Sequence, residues 1–220
     1  GDQRGIDYEV LLGINPDTIL MEAGMEEVPK RLKILAETQN WRLVRLPMLT
    51  LDDVRSSILE LDRITADATS SPPSERAGKL IAALDIATQP DPAHGSRAGR
   101  VLMLVSTAPL GVLGPGSFHY EIGSLMGLDM RPEAGAAFIN IGMEELRSID
   151  PDTIVLIVPR GDEAKLDELL DPIAHLGMRS VAQHRVLLLA GEEYLTPSTA
   201  MIRFAQDLRR QIGTLPEVND

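Results

Sequence analysis

Few side chains in this 220-residue chain can do chemistry, and they are scattered. The four histidines, His94, His119, His175 and His184, stand at no metal-ligand spacing, so a zinc site would need its ligands gathered by the tertiary fold alone. The absence of cysteine removes disulfides, thiolate metal sites and a thiol nucleophile, and decides nothing about compartment. No Walker loop, G-x-G-x-x-G turn, H-E-x-x-H pair or G-x-S-x-G elbow is present. The chemistry that remains is binding. Residues Ser106 to Glu121, S-T-A-P-L-G-V-L-G-P-G-S-F-H-Y-E, leave a strand and enter a helix, whose free N–H groups can receive an anion or a polar ligand group. Gly114 and Gly116 allow close backbone approach there, and Ser117 is placed to cap the helix. Arg160 offers a guanidinium that pairs bidentately with carboxylates.

The elements that must position these groups are read from hydrophobic period and punctuation. Glu9–Ile14 ends a helix, Asn15-Pro16-Asp17 turns the chain, and Thr18–Met21 is a short buried strand. Val28, Leu32, Leu35 and Ala36 mark one helix face, and Arg42–Leu46 a second strand, which makes a strand–helix–strand unit of a parallel sheet. Thr50 caps the next helix, with Asp52 and Asp53 in its first turn and Val54, Ile58, Leu61 and Ile64 as its stripe. Ser74 caps another, with Ala77, Leu80, Ile81 and Leu84 on one face, and Gln89–Gly99 reads as a linker. Strand Arg100–Val105 follows, then a Gly/Pro-rich loop through Gly116 and a helix marked by Phe118, Ile122, Leu125 and Met126. After an irregular stretch come a helix and strand over Glu144–Val158, a helix marked by Leu166, Leu169, Leu170 and Ile173, strand Val186–Leu189, and a closing helix through Ile212.

One local pattern occurs twice. Glu9–Leu20 reads E-V-L-L-G-I-N-P-D-T-I-L and Glu144–Val155 reads E-E-L-R-S-I-D-P-D-T-I-V. At a constant offset of 135, seven of twelve positions agree without a gap, too long a period for a solenoid. The expectation is two similar lobes, each with the same helix–turn–strand, and a cleft between them where ligands are favoured. The second copy is preceded by a strand and helix over Arg100–Gly127; the same offset puts their counterparts before residue 1, so the first lobe is read as partial.

Composition narrows the partners. Apolar residues are 44% and charged residues 25%, ordinary for a soluble globular protein. The net charge of −12 argues against a nucleic-acid partner held through phosphates and favours a basic protein surface. No run approaches the roughly 18 apolar residues that a membrane helix needs.

In the order and spacing of these motifs the chain resembles the class III substrate-binding proteins of ABC importers, the family that captures cobalamin, haem and iron–siderophores. The residues that carry the resemblance are the two Pro-Asp-strand copies at Asn15–Leu20 and Asp150–Val155, the strand, G-P-G-S-F and helix of Val101–Val105, Gly114–Phe118 and Gly127, and the last strand with the loop E-E-Y-L-T-P-S-T. The resemblance implies an α/β fold of two Rossmann-like lobes with parallel sheets joined by a helix, the first lobe partial. It divides the chain into a partial N-terminal lobe at 1–73, a connecting helix and linker at 74–99, and a C-terminal lobe at 100–220. Strand-end loops of such sheets hold ligands. That placement picks out Glu22, Ala23, Pro47 and Met48 in the first lobe, and Thr107, Ala108, Pro109, Leu110, Gly116, Ser117, Pro159, Arg160 and Tyr194 in the second. The resemblance further implies docking to a permease through acidic residues on each lobe, here Glu26, Glu27, Asp162 and Glu163. It implies no reaction and no cofactor, a periplasmic or extracytoplasmic location, and a metal chelate as cargo. An incomplete first lobe would leave a strand edge open to a second copy of the chain. Two features depart from the family. The first strand, helix and strand are absent from residues 1–8, and aromatic content is only 3%, which gives little support to a large flat ligand. The alternatives are a sensor or scaffold of the same fold, or an enzyme using Arg160, Tyr194, His119 and carboxylates on an anionic substrate.

Overall fold

A computed structural model describes residues 5–23, 27–66, 73–162 and 165–218. Glu26 and Glu163 lie outside the described residues, and of Ala23 the backbone is described. The chain forms two compact units, 1–48 and 49–220.

The first unit runs α1 (Tyr8–Ile14), β1 (Thr18–Ala23), α2 (Lys30–Gln39), β2 (Arg42–Pro47). Asp7 starts α1 by accepting the N–H groups of Glu9 and Val10 at 3.1 and 3.0 Å. Asn15 ends it in the left-handed conformation, φ 45°, with its N–H on the Leu11 carbonyl. β1 and β2 pair in parallel from Thr18↔Arg42 to Ala23↔Pro47. The buried apolar residues are Val28, Leu32, Ala36, Trp41, Val44 and Leu46, and the Trp41 indole donates to Asn15 Oδ1 at 3.0 Å, tying the turn to the next strand. Helix α1 buries none of its residues.

The second unit is a three-layer α/β/α sandwich. It runs α3 (Leu51–Thr65), α4 (Glu75–Ala87), α5 (Pro92–Ala98), β3 (Arg100–Thr107), β4 (Leu110–Leu113), α6 (Phe118–Leu125), β5 (Asp129–Arg131), β6 (Phe138–Asn140), α7 (Met143–Ile149), β7 (Thr153–Val158), α8 (Leu166–Ala174), α9 (Arg179–Ala182), β8 (Val186–Ala190) and α10 (Ala200–Gly213). The sheet order is β6-β4-β3-β7-β8, with β5 also on β3. β5, β3, β7 and β8 are parallel, whereas β4 and β6 are antiparallel additions. Side chains of the central strands alternate between two cores. Val101, Met103, Val155, Ile157, Leu187 and Leu189 meet Leu51, Leu84, Ile122, Phe204 and Leu208 on one face. Leu102, Leu104, Ile154, Leu156 and Val158 meet Leu146, Ile173 and Met178 on the other. Strands buried on both faces read as continuous apolar runs, as R-V-L-M-L-V and T-I-V-L-I-V do.

The sequence expectations hold for most elements, with exceptions. Strand β1, expected to be buried, has no buried residue among Thr18–Met21, and Leu20 is 49% exposed, because β2 is its one partner strand among the described residues. The loop after β3 contains β4, because L-G-V-L is four buried residues pairing antiparallel with β3. The irregular stretch holds β5 and β6. The linker at 89–99 is largely α5, capped by Asp91 with Pro92 at its first position and ending on fully buried Ala98. The compact division falls at Met48–Leu49, ahead of residue 73: the Thr50 and Asp53 capping box starts α3, and Leu51 and Val54 enter the second core. The helix expected from Ser74 to Thr88 is α4 with its caps; it lies inside the second unit and packs on α10 and α3.

Candidate functional site

In the second unit, β3, β7 and β8 run parallel, so their C-terminal ends share one edge of the sheet, the edge where open α/β sheets receive ligands. The sequence-selected residues of this unit gather there in three loops: Thr107–Leu110 after β3, Pro159 and Arg160 after β7, and a 3-10 turn, Glu192–Tyr194, after β8. Gly116 and Ser117 enter α6, and the His119 imidazole of that helix contacts the Tyr194 carbonyl at 2.6 Å.

These residues divide into two kinds. Ala108, Pro109, Gly116, Pro159 and Arg160 are exposed and available to a ligand. Thr107, Leu110, Ser117 and Tyr194 are buried, and each is used by the fold. The Thr107 hydroxyl donates to the Leu169 carbonyl at 2.5 Å, which fixes the end of β3 on α8. Ser117 Oγ accepts the Tyr120 N–H and donates to the Gly114 carbonyl, a helix cap with both capacities filled. The Tyr194 hydroxyl bonds Asp207, and its ring packs edge-on against Phe204. Its exposure of 4% makes Tyr194 a core residue, so its expected ligand contact is corrected to a supporting place beneath the rim. Gly114 is glycine because a Cβ would meet the Ala136 carbonyl at 2.4 Å, a matter of chain packing; Gly116 sits at φ +90° with open space around it.

His119 is the most perturbed group. It is 3% exposed, stacked on Phe118 at 3.7 Å and edge-on to Phe204, and burial pushes its pKa down to about 4. It is therefore neutral at pH 7, and its Nδ1 has no hydrogen-bond partner among the described residues.

The charged part of the rim joins Arg160, which the sequence singles out, to Glu193, Arg203 and Asp207, which it does not. Arg160 Nη2 bonds Glu193 Oε1 at 2.9 Å, and Arg203, from the second turn of α10, reaches the same oxygen at 3.7 Å. Arg203 Nε lies 3.6 Å from Asp207, whose carboxylate also takes the Tyr194 hydroxyl and Arg210. A backbone hydrogen bond, with Arg160 and Arg203 behind it, holds the Glu193 carboxyl below its usual range. Arg203 and Asp207 lie on the polar face of α10, opposite Phe204 and Leu208, and nothing in that pattern tells a reader which loop they will face.

Beside Gly116 a cavity of about 390 Å³ opens between the start of α3 and α6, with Asp52, Arg55, Tyr120 and Glu121 on its wall. Glu121 accepts the Leu51 N–H at 2.7 Å, and burial pushes its carboxyl up. Arg55 is held by Asp52 and Asp85 at 2.9 and 2.7 Å.

In the first unit, Glu22 and Ala23 close β1 and Pro47 closes β2, with Ala23 opposite Pro47. Glu22, Pro47 and Glu27 are exposed and Met48 half-buried. Asp162, the counterpart of Glu27 at the 135 offset, pairs with Lys165 at 3.0 Å. Among the described residues no group of three or more carboxylate or imidazole side chains is placed to hold a metal, and no helix is long and apolar enough to cross a membrane.

No protein-family model matches the chain, and no curated protein matches its sequence. Solved structures do match its fold. A Staphylococcus epidermidis protein, described as a possible iron-binding periplasmic solute-binding protein, superposes with a TM-score of 0.71 at 16% identity, covering 94% of this chain and 80% of its own. An ABC transporter substrate-binding protein of Listeria monocytogenes gives 0.68 at 18% identity, over 95% and 80%. The periplasmic vitamin B12 binding protein of Vibrio cholerae gives 0.67 at 14%, over 97% and 81%. The chain thus has the α/β fold of the two-lobe periplasmic solute-binding proteins.

Proposed function

We propose that this protein is the solute-binding component of an ABC importer, working outside the cytoplasm and catalysing no reaction. Its cargo in this reading is a metal chelate: an iron–siderophore, haem, cobalamin or a similar complex. The observation that carries the reading is the strand-end rim of residues 49–220. There three parallel strands deliver exposed loop residues and a solvent-exposed guanidinium, Arg160, paired with Glu193, to one edge, on a fold shared with iron- and vitamin B12-binding proteins. The exposed rim residues Ala108, Pro109, Gly116, Pro159 and Arg160 are the ligand contacts of residues 49–220, and the strand-end residues Glu22, Ala23, Pro47 and Met48 are those of the first unit. The cavity beside Gly116 has a largely apolar wall, with Leu51, Pro115 and Leu125, carrying a few polar groups, Asp52, Arg55, Tyr120 and Glu121, the usual make-up of a small-molecule site.

The test is a calorimetric titration of the full chain with a ferric trihydroxamate, ferric citrate, haemin and cyanocobalamin. Micromolar or tighter binding of one of them is expected, and binding of none would remove the assignment.

The permease partner is met through acidic points on both units, Glu27 with Glu26 and Asp162 with Glu163. Two separated negative charges orient a docking protein on a basic surface and raise the association rate. Reversing Glu27 and Asp162 to Lys is expected to slow association with the permease, the more so at low salt, and to leave chelate affinity unchanged. Unaltered association at low salt would exclude these residues.

A further inference from the structure

The charged rim of the second unit is neutralised by the protein itself, and the way it is neutralised points to what it takes. Arg160 and Arg203 come from different elements, the loop after β7 and the second turn of α10, and both guanidinium groups aim at one carboxylate, Glu193. Both side chains are about two-thirds open to solvent, 65% and 64%, while Glu193 between them is 30% exposed. The two cations are not held alike. Arg160 makes a hydrogen bond of 2.9 Å, whereas Arg203 stands 3.7 Å from Glu193 and 3.6 Å from Asp207, outside hydrogen-bonding distance of either. Asp207 is itself engaged by the Tyr194 hydroxyl and Arg210. The chain as a whole carries a net charge of −12, whereas here three guanidiniums, Arg160, Arg203 and Arg210, stand on two carboxylates, Glu193 and Asp207.

A bond to a planar guanidinium is short and bidentate when a carboxylate is free to approach it. Glu193 does not serve both arginines this way: the one oxygen that faces them, Oε1, is 2.9 Å from Arg160 and 3.7 Å from Arg203. An incoming anion is not tethered to the chain. Resting on the solute-binding reading above, we infer that Arg160 and Arg203 form a two-guanidinium subsite for a carboxylate group of an anionic metal chelate, with Glu193 as the built-in counter-ion that the ligand displaces. The exchange replaces one internal ion pair by two charge-assisted contacts to the ligand, so the site selects anionic over neutral chelates.

The experiment compares ferric citrate, as the anionic probe, with a neutral ferric trihydroxamate, each titrated calorimetrically into the full chain and its variants. Arg203→Ala and Arg160→Ala are each expected to weaken ferric citrate binding about tenfold to a hundredfold, the size of one charge-assisted hydrogen bond. Glu193→Gln, which keeps the shape and removes the competing charge, is expected to tighten it about tenfold. The neutral chelate is expected to change less than about twofold in every variant. Circular dichroism melts confirm that each variant is folded, and Arg203→Lys, if Arg203→Ala is unstable, keeps the charge and is expected to retain part of the affinity. Weaker or unchanged citrate binding in Glu193→Gln, or an Arg203→Ala that binds citrate as the parent does, overturns the inference. Binding of the trihydroxamate but not of citrate, even by Glu193→Gln, overturns it and leaves the solute-binding reading standing. Binding of neither chelate, nor of haemin or cyanocobalamin, removes that reading as well.

Discussion

Asn15 and Asp150 make the same left-handed turn, φ 45° ψ 64° and φ 39° ψ 64°, and each closes its helix on the carbonyl 4 residues back, Leu11 or Leu146. What surrounds the two turns differs. In the second unit Leu146, Ile154 and Val155 are fully buried, with β3 on one side of β7 and β8 on the other. In the first unit Leu20, the counterpart of Val155, is 49% exposed, and among the described residues β1 pairs with β2 alone. Helix α1 carries Val10 and Leu12, 57% and 40% exposed, where α7 carries Glu145 and Arg147. The same local sequence therefore gives the same turn, while the free energy of burial depends on what the rest of the chain lays against it. Turn geometry is a property of twelve residues; stability is a property of the layer.

The largest expected contrast is in the matched leucines. Leu146→Ala should cost roughly 3–5 kcal/mol in urea denaturation, as for a fully buried leucine, and Leu11→Ala, at a half-buried position, less than about 1 kcal/mol. The single tryptophan, Trp41, reports the first unit, while far-UV circular dichroism is dominated by the second. The fluorescence transition is expected at lower urea than the dichroism transition, and coincident curves would erase the difference in stability between the units.

Acid sharpens the comparison, because all four histidines lie beyond residue 48. His119 titrates near 4 in the folded protein and near 6.5 unfolded, so the unfolded chain holds more protons in that window. Stability must then fall as pH drops from about 6.5 towards about 4, by roughly 3 kcal/mol from this residue, with no further loss from it below. His119→Gln should flatten that part of the dichroism-monitored pH profile of stability and leave the Trp41 signal unmoved. A parent profile already flat over the window would mean that His119 is not held neutral by burial.

The turns themselves should respond alike. A β-branched residue at either left-handed position, Asn15→Val or Asp150→Val, should cost about 1–2 kcal/mol in both copies, since the strain is local. Unequal values would show that the Trp41 bond to Asn15 or the Arg179 bond to Asp150 dominates over the backbone. The smallest effect is expected from giving α1 the surface of α7. Val10→Glu with Leu12→Arg should change monomer stability by less than about 0.5 kcal/mol, as at exposed sites. If the open face of the first unit joins two copies of the chain, as proposed for an uncovered strand edge, the same double variant shifts light scattering from dimer to monomer. A parent that scatters as a monomer at all concentrations would dismiss that pairing.

Much of this was legible in the residues. The caps at Thr50, Ser74 and Ser117, the Pro-Asp turns and the continuous apolar runs of β3 and β7 each act through neighbours within a few positions, and local rules reach that far. Strand β4 was missed because L-G-V-L is short and framed by glycine and proline, so its identity as a strand exists only through pairing with β3. Helix α5 had its signal, Asp91 followed by Pro92, but the surrounding glycines and prolines argued for a linker.

The sequence by itself determined the repeat, the parallel α/β class and the edge of the sheet to which candidate residues would be carried, because strand direction follows from the order of apolar runs and crossovers. Only the tertiary structure decided which of those residues face outward. Tyr194 reads as a rim residue and is sealed by Phe204 and Asp207; Arg203 reads as an ordinary polar-face arginine and stands beside Arg160 over one carboxylate. The reason is physical: exposure and charge pairing are set by contacts between elements such as α10 and the turn after β8, far apart from β7 in sequence, and no local period encodes them.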